Sequence, residues 1–104
     1  MDKTAVKYNV KLYEHAVRDL DTIYDYIANT LLESGAAANT IEKIETAILS
    51  LDTMPQRCPV RKTGVYADKG YRQFFVGNYT IIFRIDEEQK LVFIITVRYS
   101  SSQF

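Results

Sequence analysis

The 104-residue chain has one cysteine, Cys58, and one histidine, His15. A lone cysteine excludes an internal disulfide, and one residue of each kind excludes a Cys/His metal cluster. Carboxylates alone could hold a metal, but no motif spaces them for it, so neither metal nor cofactor is expected. Also missing is any apolar run near the roughly 18 to 20 residues that a membrane span needs. Met1-Asp2-Lys3-Thr4 leads into no apolar secretion-signal core, so the expected compartment is the cytoplasm, with no membrane partner. The length leaves room for one hydrophobic core, so residues 1–104 are read as a single domain carrying a single site. With 47% apolar and 25% charged residues the composition is that of a folded protein, which excludes disorder as the working state.

The net charge is zero, yet its two signs are separated along the chain. Residues 1–54 carry five bases against nine acids, a net of −4, and residues 55–104 carry eight bases against four acids, a net of +4. A polyanion or acidic partner is therefore expected on the second half.

Val6, Tyr8, Val10 and Leu12 alternate with polar residues over Val6 to Tyr13, which predicts a strand with one buried face. The spacing then lengthens to that of an amphipathic helix through Ala16, Leu20, Ile23, Ile27 and Leu31. Glu33-Ser34-Gly35 predicts a break, with the glycine just past the helix end. A second helical stripe follows at Ala37, Ile41, Ile44, Ile48 and Leu51, and so short a loop makes the helices antiparallel neighbours. Pro55 and Pro59 end helical structure, and residues 55–70 form a long connection of the kind that often carries function. Tyr71 to Val76 and Tyr79 to Asp86 flank Gly77-Asn78, a two-residue hairpin turn. Counting out from that turn pairs Val76 with Tyr79, Phe74 with Ile81 and Arg72 with Phe83, provided no bulge intervenes. The core side then holds Phe74, Ile81, Phe83 and Ile85. Gln73, Phe75, Thr80, Ile82 and Arg84 face the other way. Leu91 to Val97, apolar almost throughout, reads as a central strand. The order β-α-α-β-β-β defines an α+β fold, with a helical hairpin on one face of a largely antiparallel sheet and the opposite face partly open.

Three stretches in this order resemble the RelE/ParE toxin superfamily. They are the helix from Ala16 to Ala28 with its Asp19-Leu20, Ile23 and Tyr26-Ile27, the exit Leu51-Asp52-Thr53-Met54-Pro55, and Arg72 ahead of Val76-Gly77-Asn78-Tyr79 with Phe83 four residues beyond the tyrosine. The resemblance spans nearly the whole chain and is nearer to ParE-like members. It implies a toxin of a type II toxin-antitoxin pair, neutralised by a cognate antitoxin. ParE-like members poison DNA gyrase, whereas RelE-like members cut messenger RNA on the ribosome. Two positions depart from the nuclease pattern: Thr80 stands where an arginine commonly follows the hairpin tyrosine, and Ser100-Ser101-Ser102 stands where basic residues commonly end the last strand.

Cleaving RNA requires activation of a 2′-hydroxyl and stabilisation of charge on the phosphate, so positioned cations matter. The residues left for that chemistry are Arg84, Arg98 and Tyr99, with Tyr71 a further possible acid or base. Arg57, Arg61, Lys62 and Lys69 form the densest run of positive charge, and with Arg72 and Tyr71 they are the expected contacts for target or antitoxin. Arg72 lies on the core side by register, where its guanidinium needs a carboxylate or carbonyl partner, a helix acid being the expected one. His15 and Cys58 read as structural. The favoured reading is a ParE-like toxin that binds an essential target. A ribosome-dependent endoribonuclease and an inactive antitoxin-binding relative are the alternatives.

Overall fold

The structure, a computed structural model, describes residues 6–102 and 104. Its elements are β1 (Asn9–Leu12), α1 (Glu14–Asp25), α2 (Ser34–Leu49), β2 (Arg72–Val76), β3 (Tyr79–Asp86) and β4 (Leu91–Tyr99), the expected β-α-α-β-β-β order. The sheet runs β1-β4-β3-β2, with β1 parallel to β4 and the other pairs antiparallel. The apolar β4 is thus an inner strand, as its sequence requires.

The hairpin register is the one counted from Gly77-Asn78: Arg72 faces Phe83, Phe74 faces Ile81 and Val76 faces Tyr79. A bulge occurs on the other side of β3, where the pairing with β4 shifts between Ile82 and Phe83. The core lies between the helices and one sheet face, with Leu20, Ile44, Ile48 and Leu51 packed against Ile81, Phe83, Val92 and Ile94. Burying each such side chain contributes about 1.5 to 3 kcal/mol, so this interface dominates the fold's stability.

Three local expectations are corrected. The first strand is four residues rather than eight, and Val6 and Leu12 are exposed while Tyr8 and Val10 join the core. Secondly, the first helix does not stay α-helical to Leu31: Tyr26–Thr30 form a π turn in which the N–H of Leu31 reaches the carbonyl of Tyr26. The wider turn rotates Leu31 out of the apolar stripe and leaves it 51% exposed. Thirdly, the break between helices falls at Leu31 to Glu33, where Leu32 takes the left-handed conformation (φ 57°), and Gly35 lies within the first turn of α2.

The connection from residue 55 to 70 is more ordered than its sequence suggests. Pro59 to Arg61 run beside the outer edge of β2, with Gln73 N–H donating to Pro59 O and Arg61 N–H to Tyr71 O. That pairing covers part of an edge that would otherwise expose unpaired amides.

Candidate functional site

The sheet face away from the helices carries Gln73 and Phe75 from β2, Thr80, Ile82 and Arg84 from β3, and Phe93 and Arg98 from β4. It is less open than expected, because Thr80 and Ile82 are fully buried on it. Part of the cover is Phe104. Its ring lies 4.5 Å from the Arg61 guanidinium and 5.4 Å from that of Arg98, and its carbonyl accepts from Arg61 Nη2 at 3.2 Å. Arg61 is aimed there by two more bonds, to Gln73 Oε1 and to the Thr63 carbonyl. Gly64 permits the approach: a methyl group on its Cα would stand 1.7 Å from the Phe104 carbonyl oxygen, and its φ of +76° suits glycine.

Arg84 shares this face, four residues along β3 from the Thr80 that pairs with Arg98. Its guanidinium stacks 4.4 Å over Phe93 and donates to the Tyr13 hydroxyl at 3.3 Å. Tyr99 does not join the two arginines. It lies beside Tyr79, ring centroids 5.7 Å apart, in a cavity that α1 and the π turn also line. The fold therefore brings Arg61, Arg84 and Arg98 to one side and directs Tyr99 to the other.

The run of loop bases is divided in the same way. Arg57 stacks on the core-side residue Phe74 at 5.5 Å and donates to the carbonyls of Thr53 and Met54. Lys62 and Lys69 are exposed. Tyr71 packs edge-on against Tyr66, centroids 5.4 Å apart. Arg72 is held on the core side by the carbonyls of Cys58, at 2.6 Å, and Gln56, at 3.3 Å. The helix acid expected for it is not its partner, because the returning loop brings carbonyls closer than any helix carboxylate. Burial raises the Cys58 thiol above its ordinary range, and the nearby Arg57 and Arg72 pull it partly back. The protonated thiol is a poor nucleophile.

Sequence reading missed two polar clusters. Asp19 of α1 accepts hydrogen bonds from the Thr96 hydroxyl and, at 3.1 Å, from Val97 N–H, and Thr96 Oγ1 in turn accepts from Arg98 Nε at 2.9 Å. Tyr8 donates to Glu87 at 2.6 Å, and Gln56 reaches both of them. Those bonds, Tyr8 first and Gln56 next, hold the Glu87 carboxyl below the usual carboxylate range. Partners 77 and 79 residues apart leave no local signal. The Phe104 contact was equally invisible. Among the described residues no group of histidine, cysteine and carboxylate side chains is placed to hold a metal, and no helix is long and apolar enough to cross a membrane.

A helical hairpin on one side of a four-stranded mixed sheet is the build of the small RelE/ParE toxins. The chain is similar to a protein of the chromosomal ParDE toxin-antitoxin system of P. aeruginosa, with a TM-score of 0.75, 21% identity, and 91% of this chain and 98% of that one covered. It is also similar to a chain of the RelBE2 toxin-antitoxin complex of Mycobacterium tuberculosis (TM-score 0.58, 27% identity, 90% and 99% covered). A chain of the intact E. coli RelBE complex shares the fold as well (TM-score 0.59, 13% identity, 91% and 99% covered). No curated protein matches the sequence. Residues 10–104 match the ParE toxins of the type II toxin-antitoxin system parDE, and the chain belongs to that family.

Proposed function

We propose that this ParE-family chain stops growth by binding an essential target, DNA gyrase, rather than by cutting RNA, and that a cognate antitoxin silences it. The observation that supports this choice is a hydrogen bond between Thr80 Oγ1 and Ser100 Oγ, 2.8 Å long. These are two of the positions where the nuclease pattern would have basic residues. Here they satisfy each other, and Thr80 is fully buried. The cations that remain on this face are engaged with aromatic rings: Arg84 with Phe93, and Arg61 and Arg98 with Phe104. Losing one strong charge-stabilising donor costs roughly 10²-fold to 10³-fold in rate, so two neutral residues here disfavour catalysis.

The antitoxin belongs to the same reading. The related ParDE and RelBE structures are toxin-antitoxin systems, and the net +4 of residues 55–104 suits an acidic partner that folds on binding. Exposed Lys62 and Lys69, with Arg61 and Arg98 on the face away from the helices and Arg57 on the other side of β2, are its contacts.

The test pairs a gyrase supercoiling assay with primer extension across messages on translating ribosomes, using one preparation. Loss of supercoiling, relieved by the protein encoded in the adjacent reading frame, is the expected result. Codon-phased cuts that vanish in Arg98→Ala would overturn it in favour of the endoribonuclease.

A further inference from the structure

A cavity on the side of the sheet away from Arg61 and Arg98 is used by no role assigned above. It has a volume of about 690 Å³ and is walled by Tyr26 of the π turn, Tyr79 of β3 and Tyr99 of β4, over Ile23, Ile27 and Leu31. Leu31, which the π turn rotates out of the helix stripe, is half-exposed among its lining residues. Tyr26 and Tyr99 remain 54% and 48% exposed, so the aromatic walls can be reached from solvent.

Two observations define what such a cavity would take. The first is charge: from Asp19 to Glu42 the chain carries five acids and no lysine or arginine. That segment contributes six of the nine lining residues, and the other three, Asn78, Tyr79 and Tyr99, are uncharged. The neighbouring Arg98 is turned away, onto Thr96 and Phe104. Consistent with a site that holds no cation of its own, the Tyr79 phenol is raised above its ordinary range by burial and then by Tyr99 and Tyr26, and no basic group offsets the shift. The second is shape: three tyrosines from separate elements gather around one space, Tyr79 and Tyr99 packing edge to face with centroids 5.7 Å apart, and the face of an aromatic ring attracts cations. The hydroxyls of Thr22 and Thr40 add acceptors at its lining.

We propose that this tyrosine-walled cavity is a docking site for an arginine side chain, presented by a protein partner on a segment with apolar flanks. Arginine fits better than lysine because its flat guanidinium stacks on a ring while its edge donates to hydroxyls. The apolar floor receives the flanking residues. This site is separate from the basic face, so it stands or falls independently of the target proposed above.

The experiment is a titration of the full chain, followed by the tyrosine ring resonances, with acetyl-Leu-Arg-Leu-amide and with the same peptide carrying citrulline. Citrulline keeps the shape and removes the charge. The arginine peptide is expected to shift the Tyr26, Tyr79 and Tyr99 signals and to bind about fivefold or more tightly than the citrulline peptide. Tyr26→Leu and Tyr99→Leu, at exposed positions that the fold tolerates, should each weaken it about fivefold, and Tyr99→Phe should stay within about twofold. Equal binding of the two peptides would leave only an apolar groove and overturn the proposal. So would the absence of ring shifts with either peptide, or leucine variants that bind as tightly as the parent.

Discussion

Asp19, in the middle of α1, terminates the pairing edge of β4 by accepting the backbone N–H of Val97 at 3.1 Å. The edge needs this because β1 pairs with β4 only as far as Leu12 opposite Ile94. Beyond that point β4 has no strand beside it on that side, and the same carboxylate also takes the hydroxyl of fully buried Thr96. One helix side chain thus does what a longer β1 would have done. It also steadies Thr96 as the acceptor for Arg98.

Replacing Asp19 by alanine should therefore cost about 2 kcal/mol, since hydrogen bonds to a charged group contribute roughly 1.5 to 3 kcal/mol and a buried hydroxyl is left unpaired. Asp19→Asn keeps an acceptor and should lose about half as much. Urea unfolding of the three proteins measures it. An alanine variant as stable as the parent would mean that the edge is satisfied by water.

Stability should fall on acidification partly through Glu87. Its carboxyl is held below the ordinary value by Tyr8, Gln56 and Lys90, so the folded form binds its proton less readily than the unfolded chain does. The contribution is present above the ordinary carboxylate pKa and is lost as pH falls through the lower folded value. Glu87→Gln should flatten this part of the profile, at pH values below about 4.5, by lowering stability at neutral pH, where the parent's contribution is fully present, while the two proteins converge in acid. Thermal unfolding across that range reads the difference, and parallel curves for the two proteins would contradict it.

Gly64→Ala should drive Phe104 out from between Arg61 and Arg98. The added methyl meets backbone rather than a side chain that could swing aside, and φ at this position is +76°. The left-handed conformation alone costs a non-glycine residue about 1 to 2 kcal/mol. Contacts between the Phe104 ring and the Arg98 side chain, seen in the parent as nuclear Overhauser effects, should vanish in the variant while the core signals persist. Phe104→Ala provides the matching control, because it empties the slot without straining the loop. Retained contacts in Gly64→Ala would show that the loop can yield.

The sequence by itself determined the architecture. Period-two and helical spacings in Tyr8 to Val10, Ala16 to Ile27 and Ala37 to Leu51 assigned the elements, and Gly77-Asn78 set a register that placed Phe74, Ile81 and Phe83 on the core side. These signals are local, because side-chain direction repeats with the backbone's own period. The resemblance in helix, proline exit and hairpin pointed to the family that residues 10–104 match. Tertiary structure alone decided where the charges act. Arg57 and Arg61, four residues apart, lie on opposite sides of β2, and adjacent Arg98 and Tyr99 serve opposite faces of the sheet. It also decided that Arg72 meets loop carbonyls, that Asp19 closes the edge of β4, and that Phe104 lies between two arginines. A guanidinium or carboxylate takes whichever partner the fold brings within hydrogen-bond reach, and that partner lies tens of residues away with no periodicity to announce it.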